Sequence, residues 1–99
     1  MLCAFHLIDR PGSAALRLQM RPEHKACLAR LQDRIDLAGP LLQDDGQTLI
    51  GSLLVIDFPG RATAGAWLAQ EPFHRSGLYG SVQIQAFSNL WPQRIGLAP

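Results

Sequence analysis

Cysteine, charge and long apolar runs are all scarce in this chain, and each shortage removes a class of function. The two cysteines, Cys3 and Cys27, form no CxxC pair, so neither a disulfide scaffold nor a cysteine-based zinc site has support. Cys27 falls on the apolar stripe of a predicted helix, where a free thiol acts as a small hydrophobe. A reducing cytoplasm is the expected location. Charged residues make up only 17% of the chain, and the nine Lys and Arg nearly cancel the eight Asp and Glu. With no summed field to draw it to phosphate backbones or anionic lipid, the chain has neither nucleic acid nor a membrane surface as an expected partner. The most apolar stretch, Leu49 to Ile56, is interrupted by Gly51 and Ser52 and is too short to cross a bilayer. The beginning of the chain goes straight into a strand pattern containing His6, Asp9 and Arg10. It shows no basic flank, apolar run and cleavage site in succession, so no signal peptide is expected.

Several chemical signatures are missing as well. The serines include no G-x-S-x-G elbow, Gly60 and Gly65 do not make a phosphate loop, and His6, His24 and His74 show no i, i+4 metal pairing. No metal and no cofactor is implied. Asp44 and Asp45 stand together before Gly46 and read as turn chemistry.

What is present is a chain of 99 residues, 47% apolar, which suits one domain with one core. That domain is expected over 1–99, with a core over 1–88 and a C-terminal arm over 89–99 carrying Trp91, Ile95 and Leu97. Leu2 to Ile8 predicts a strand, closed by Asp9, Arg10, Pro11 and Gly12. Ser13 is placed to cap a helix starting at Ala14, and Pro22 predicts that this helical region bends or restarts. Beyond it, His24, Cys27, Leu28, Leu31 and Ile35 recur at helical spacing, opposite a polar face of Lys25, Arg30, Gln32 and Arg34. Ile35 to Leu42 predicts a strand with an irregularity at Gly39 and Pro40, joined as a hairpin to Thr48 to Phe58. Leu53, Leu54, Val55 and Ile56 are apolar at every position, the pattern of an inner strand covered on both faces. Ala62 to Gln70 predicts a helix that ends before Pro72, Phe73 to Gly77 a turn, and Tyr79 to Phe87 a last strand.

The order β α β β α β predicts an α+β, ferredoxin-like plait with two helices on one face of an antiparallel sheet. The other sheet face carries little charge, so homodimerisation through it is expected. For function the informative residue is His24. It lies in the first turn after Pro22 on the buried stripe, where unpaired backbone N–H groups disfavour an added positive charge. A neutral imidazole there can accept a proton from a substrate, with Glu71 the candidate carboxylate for its far nitrogen. The alternative is a core histidine bonded to a strand carbonyl, and spacing alone does not place Glu71 beside it.

Five blocks add to this reading: Arg21-Pro22-Glu23-His24, Ala38-Gly39-Pro40-Leu41 leading to Asp44-Asp45-Gly46, Ile50-Gly51-Ser52-Leu53-Leu54-Val55, Glu71-Pro72-Phe73, and Gly77-Leu78-Tyr79. In this order they resemble the signature of the YciI-like (YCII-related) family. The resemblance implies a dimeric ferredoxin-like protein of the αβ-barrel type with a histidine–aspartate pair in a cleft between helices and sheet. His24 matches the histidine. Glu71 stands where the family pattern has Asp, with a reach longer by one methylene. Ser52 matches the Gly-Ser block, as a hydroxyl facing the cleft or as a small residue admitting close packing, and Pro40 and Phe73 match as walls. The implied activity is proton transfer on a small cyclic or carbonyl-bearing molecule, of lyase or isomerase type, without a cofactor. The competing class is a dimerisation or small-ligand-binding domain without chemistry.

Overall fold

The computed structural model describes residues 1–91, and its organising element is the strand β1 (Leu2–Asp9). Cys3, Phe5 and Leu7 alternate with Leu2, Ala4, His6 and Ile8, and only the first set is fully buried. Period-two alternation therefore assigns one face of the sheet to the core. β1 pairs antiparallel with β3 (Leu49–Asp57) on one side and β4 (Tyr79–Phe87) on the other, and β2 (Ile35–Leu42) pairs antiparallel with β3. The resulting order β2-β3-β1-β4 is the ferredoxin-like arrangement expected from the chain. β3 is an inner strand: Leu54 and Ile56 lie opposite Phe5 and Cys3 on the core face, while Leu53 and Val55 face the other way.

The helices α1 (Ala14–Ala29) and α2 (Arg61–Gln70) and the single-turn α3 (Pro72–Arg75) cover the core face. Leu54, Ile56, Ala64, Leu68 and Ile84 pack with Cys3, Phe5 and Leu7. Phe5 meets Phe58 and Trp67 edge-on, with ring centroids 6.0 and 5.6 Å away. No helix among the described residues is long and apolar enough to cross a membrane.

Four local expectations differ from the structure. α1 runs through Pro22 without restarting. The missing N–H forfeits one bond to the carbonyl of Leu18, but Leu18 is 71% exposed, so water can satisfy that oxygen and the flanking turns hold the helix together. Ser13 makes no side-chain cap; its carbonyl accepts instead from the Arg17 N–H at 3.0 Å. Ile35 leaves the helical stripe, because α1 ends at Ala29 and a 3-10 turn (Gln32–Arg34) hands Ile35 to the start of β2. The segment after Glu71, expected as a turn, contains α3. Residues 92–99 of the expected C-terminal arm lie outside the described residues.

Two backbone details shape the polar end of this core. A Cβ on Gly51 would collide with the Leu7 carbonyl oxygen, so only glycine lets β3 approach β1 this closely. The β1–β4 register shifts between Ile8 and Asp9, setting Asp9 opposite Tyr79. Asp9 thus continues the inward stripe of Cys3, Phe5 and Leu7 at the end where the apolar core stops.

Candidate active site

Because α1 is continuous, Arg17, Arg21, His24, Lys25 and Leu28 share one face of it. They line a cavity of about 240 Å³ together with Ala38, Pro40, Ser52, Leu54 and Phe73. A cavity of about 150 Å³ accepts benzene, so this one has room for a single substituted ring.

His24 sits at the inner wall, 9% exposed, and its Nδ1–H donates to Oε1 of Glu71. Glu71 arrives there through backbone geometry. Its extended backbone ends α2 and caps α3, where Pro72 occupies the first helical position. Its Oε2 accepts from the His74 N–H at 3.3 Å. The carboxyl group is completely buried, and a buried carboxylate needs such donors in place of water. The Phe73 ring lies parallel to the imidazole, 13° from coplanar with centroids 3.9 Å apart, which restricts rotation of the ring. Among the described residues no buried side-chain nitrogen or oxygen lacks a hydrogen-bond partner. Nε2 makes no such bond, so it is not fully enclosed, and the residue lines the cavity. With Nδ1 as donor, Nε2 is the ring nitrogen left without a partner.

A second polar cluster adjoins the first. Arg17 is 7% exposed and grips Asp9 with two bonds, Nε to Oδ2 at 2.7 Å and Nη2 to Oδ1 at 3.0 Å. Its Nη2 also donates to Ser52 Oγ at 2.9 Å, and its Cζ lies 4.7 Å from the centre of the Phe73 ring. The Tyr79 hydroxyl donates to the same Ser52 oxygen at 3.4 Å. Burial above all, and then the negative charge of Glu71, push the Tyr79 phenol well above its ordinary value of 10.0. A phenol raised in the folded state contributes stability that is intact below pH 10 and is lost as the pH climbs toward the folded value. Tyr79 is the chain's one tyrosine. Its ultraviolet titration is therefore expected to show no tyrosinate at pH 10 until the protein unfolds, and a normal phenol titration in the folded protein would contradict the burial argument.

The structure thus brings His24 and Glu71 into contact, places Ser52 and Pro40 on the cavity wall, and stacks Phe73 on the imidazole. His6 is exposed on β1. Asp45 is turn chemistry, accepting from Gln47 N–H, Thr48 N–H and the Thr48 hydroxyl. Among the described residues no three His, Cys, Asp or Glu side chains converge as a metal site would require. Sequence reasoning missed Arg17, Asp9 and Tyr79, and it put Lys25 on the polar face, whereas Lys25 lines the cleft. The available signal was spacing: Arg17 precedes His24 by seven residues, two helical turns on the same face.

A ferredoxin-like sheet under helices, with a ring-sized cleft lined by one histidine whose imidazole is bonded to a buried carboxyl group behind it, defines the class of this α+β protein. The chain belongs to the YCII-related domain family, whose profile matches residues 1–88. It is 30% identical over 98 residues to Protein YciI of Escherichia coli, covering 92% of this chain and all of that one. An uncharacterized protein of Haemophilus influenzae is 30% identical over 90 residues, covering 84% of this chain and 92% of the relative. Among solved structures, the 5-chloro-2-hydroxyhydroquinone dehydrochlorinase TftG of Burkholderia phenoliruptrix, in complex with 2,5-dihydroxybenzoquinone, superposes with a TM-score of 0.83 at 26% identity. That match covers 89% of this chain and 94% of the dehydrochlorinase.

Proposed function

We propose that this protein is a small-molecule enzyme of lyase or isomerase type in which His24 Nε2 takes a proton from the substrate and Glu71 holds the imidazole in the tautomer that can do so. The observation that carries the reading is the asymmetry of the ring: Nδ1 is committed to a fully buried carboxyl group, while Nε2 has no protein partner and the residue lines a cavity the size of one ring. A positioned imidazole is the commonest side chain for such proton transfer. The similar dehydrochlorinase supports the reaction type, since loss of hydrogen chloride begins or ends with transfer of a proton from the ring system. Ser52 and Pro40 bound the substrate, and Phe73 keeps the imidazole aligned.

The working form in this reading is a cytoplasmic homodimer. The open face of the sheet presents Ala4 and Leu53 beside Gln83 and Gln85, and Leu37 and Phe87 at its margins are 43% and 44% exposed. Sheet-to-sheet packing would cover this weakly charged surface.

Deuterium exchange at the ring carbons of 2,5-dihydroxybenzoquinone tests the chemistry. The protein is expected to accelerate exchange over buffer, and His24→Gln to lose about 10²- to 10⁴-fold of that rate while keeping its circular dichroism. Equal rates in the two proteins would leave only a binding domain.

A further inference from the structure

Among the described residues, the two basic side chains on the inner wall of the cleft, Arg17 and His24, each have an acidic partner behind the wall. Asp9 holds the Arg17 guanidinium in a two-bond clasp, and Glu71 accepts from His24. The rim differs. Arg21 and Lys25 are exposed, line the same cavity, and take part in none of the ion pairs among the described residues. Among the described residues no aspartate or glutamate lines the cavity. The acid nearest them in sequence, Glu23, lines a different hollow with Arg75. Arg17, Arg21 and Lys25 follow one another at intervals of four on a single helix, where like charges repel. Helix stability gains nothing from this arrangement, whereas an anion between the side chains would turn the repulsion into attraction.

The floor of the cleft points to the same class of occupant. Ser52 Oγ accepts from Arg17 and from Tyr79. A hydroxyl has two acceptor positions and one hydrogen, so both lone pairs are engaged and the O–H is left to donate. Leu28, Leu54 and Phe73 supply apolar walls between rim and floor.

We propose that the substrate of this site is a single planar ring bearing an ionised oxygen, a ring enolate, phenolate or carboxylate, with that oxygen held by Arg21 and Lys25 and a second oxygen accepting from Ser52. This substrate class rests on the proton-transfer reading above, and it adds specificity determinants, Arg21 and Lys25, that the reading does not require. The anion also bears on reactivity: a ring held by cations beside a neutral imidazole places developing negative charge where two positive groups stabilise it.

A matched pair of probes separates charge from shape. 2,5-Dihydroxybenzoquinone is a vinylogous acid, ionised at neutral pH, and 2,5-dimethoxybenzoquinone is its neutral ether. In calorimetric titrations the unaltered protein is expected to prefer the ionised probe by about tenfold or more, a preference that shrinks in high salt because exposed charges are screened. The double variant Arg21→Gln/Lys25→Gln is expected to bind both probes alike. Equal affinities in the unaltered protein, no binding of either probe, or a preference untouched by salt and by the double variant would each overturn the assignment. The salt arm needs no variant and so stands even if the altered protein misfolds. A charge preference without His24-dependent exchange removes the proton-transfer reading alone, and exchange without a charge preference removes the anion site alone.

Discussion

Arg17→Met is expected to destabilise the protein by about 3–5 kcal/mol, because it removes one member of a buried ion pair and leaves the other without water or partner. The two side chains are each 8% exposed, so Asp9 cannot recover hydration by a small shift. Ser52 loses a donor at the same time, and the methionine replaces the volume of the guanidinium stem without its bonds. The size of the effect comes from the stranded carboxylate rather than from the worth of the pair itself, and this makes a second outcome predictable. Asp9→Asn combined with Arg17→Met should recover much of the loss, since a neutral amide is far cheaper to bury than a charge. Urea unfolding of the two single variants and the double variant completes the cycle. Additive losses would show that Asp9 is hydrated when Arg17 is gone and that the cleft floor is wetter than the structure indicates.

The second large effect is expected at Glu71, and it concerns a proton's position more than stability. Glu71 accepts with both oxygens, one from His24 Nδ1–H and one from the His74 N–H. Glutamine at this position fits the same space, but its amide has one oxygen for two donors. If the oxygen stays with the His74 N–H, the amide NH₂ faces Nδ1, which must then accept, and the ring proton moves to Nε2. The nitrogen facing the cleft is then no longer a base, and the exchange rate should fall by about 10³- to 10⁴-fold, as when the orienting carboxylate of a catalytic triad becomes an amide. If the amide flips, the tautomer survives but the His74 N–H meets an NH₂, weakening the α3 cap by about 1–3 kcal/mol. Nitrogen NMR of His24 tells which nitrogen carries the proton. An undiminished rate with the proton on Nε2 would disprove the role given to this carboxyl group.

How much of the molecule was legible in the chain differs from residue to residue. The strand and helix order was plain, since the short apolar run Leu2 to Ile8, the alternation in Tyr79 to Phe87 and the punctuation at Pro59-Gly60 and Pro72 are local signals. The continuity of α1 through Pro22 was not. A proline's local penalty is readable, but whether the helix survives depends on Leu18 facing water, which is a tertiary fact. His24 could be named from helical spacing as pointing inward. Its contact with a residue 47 positions away required the turn at Glu71, and in the sequence only the family pattern suggested it. The clasp of Arg17 on Asp9 left no trace in composition, because a buried arginine and a solvated one look identical until their neighbours are known. The register shift beyond Ile8 that puts Asp9 opposite Tyr79 is likewise a feature of strand pairing that periodicity does not encode.

Glu71 finishes one helix, begins the next and anchors the imidazole, and this triple duty has a consequence for how the protein can fail. A chain whose second half has not folded lacks α3, and with it the anchor that fixes which imidazole nitrogen is free. On the proposed chemistry, a molecule in which α3 has not formed is therefore expected to be silent, so that proton-transfer activity would double as a report that this turn is in place.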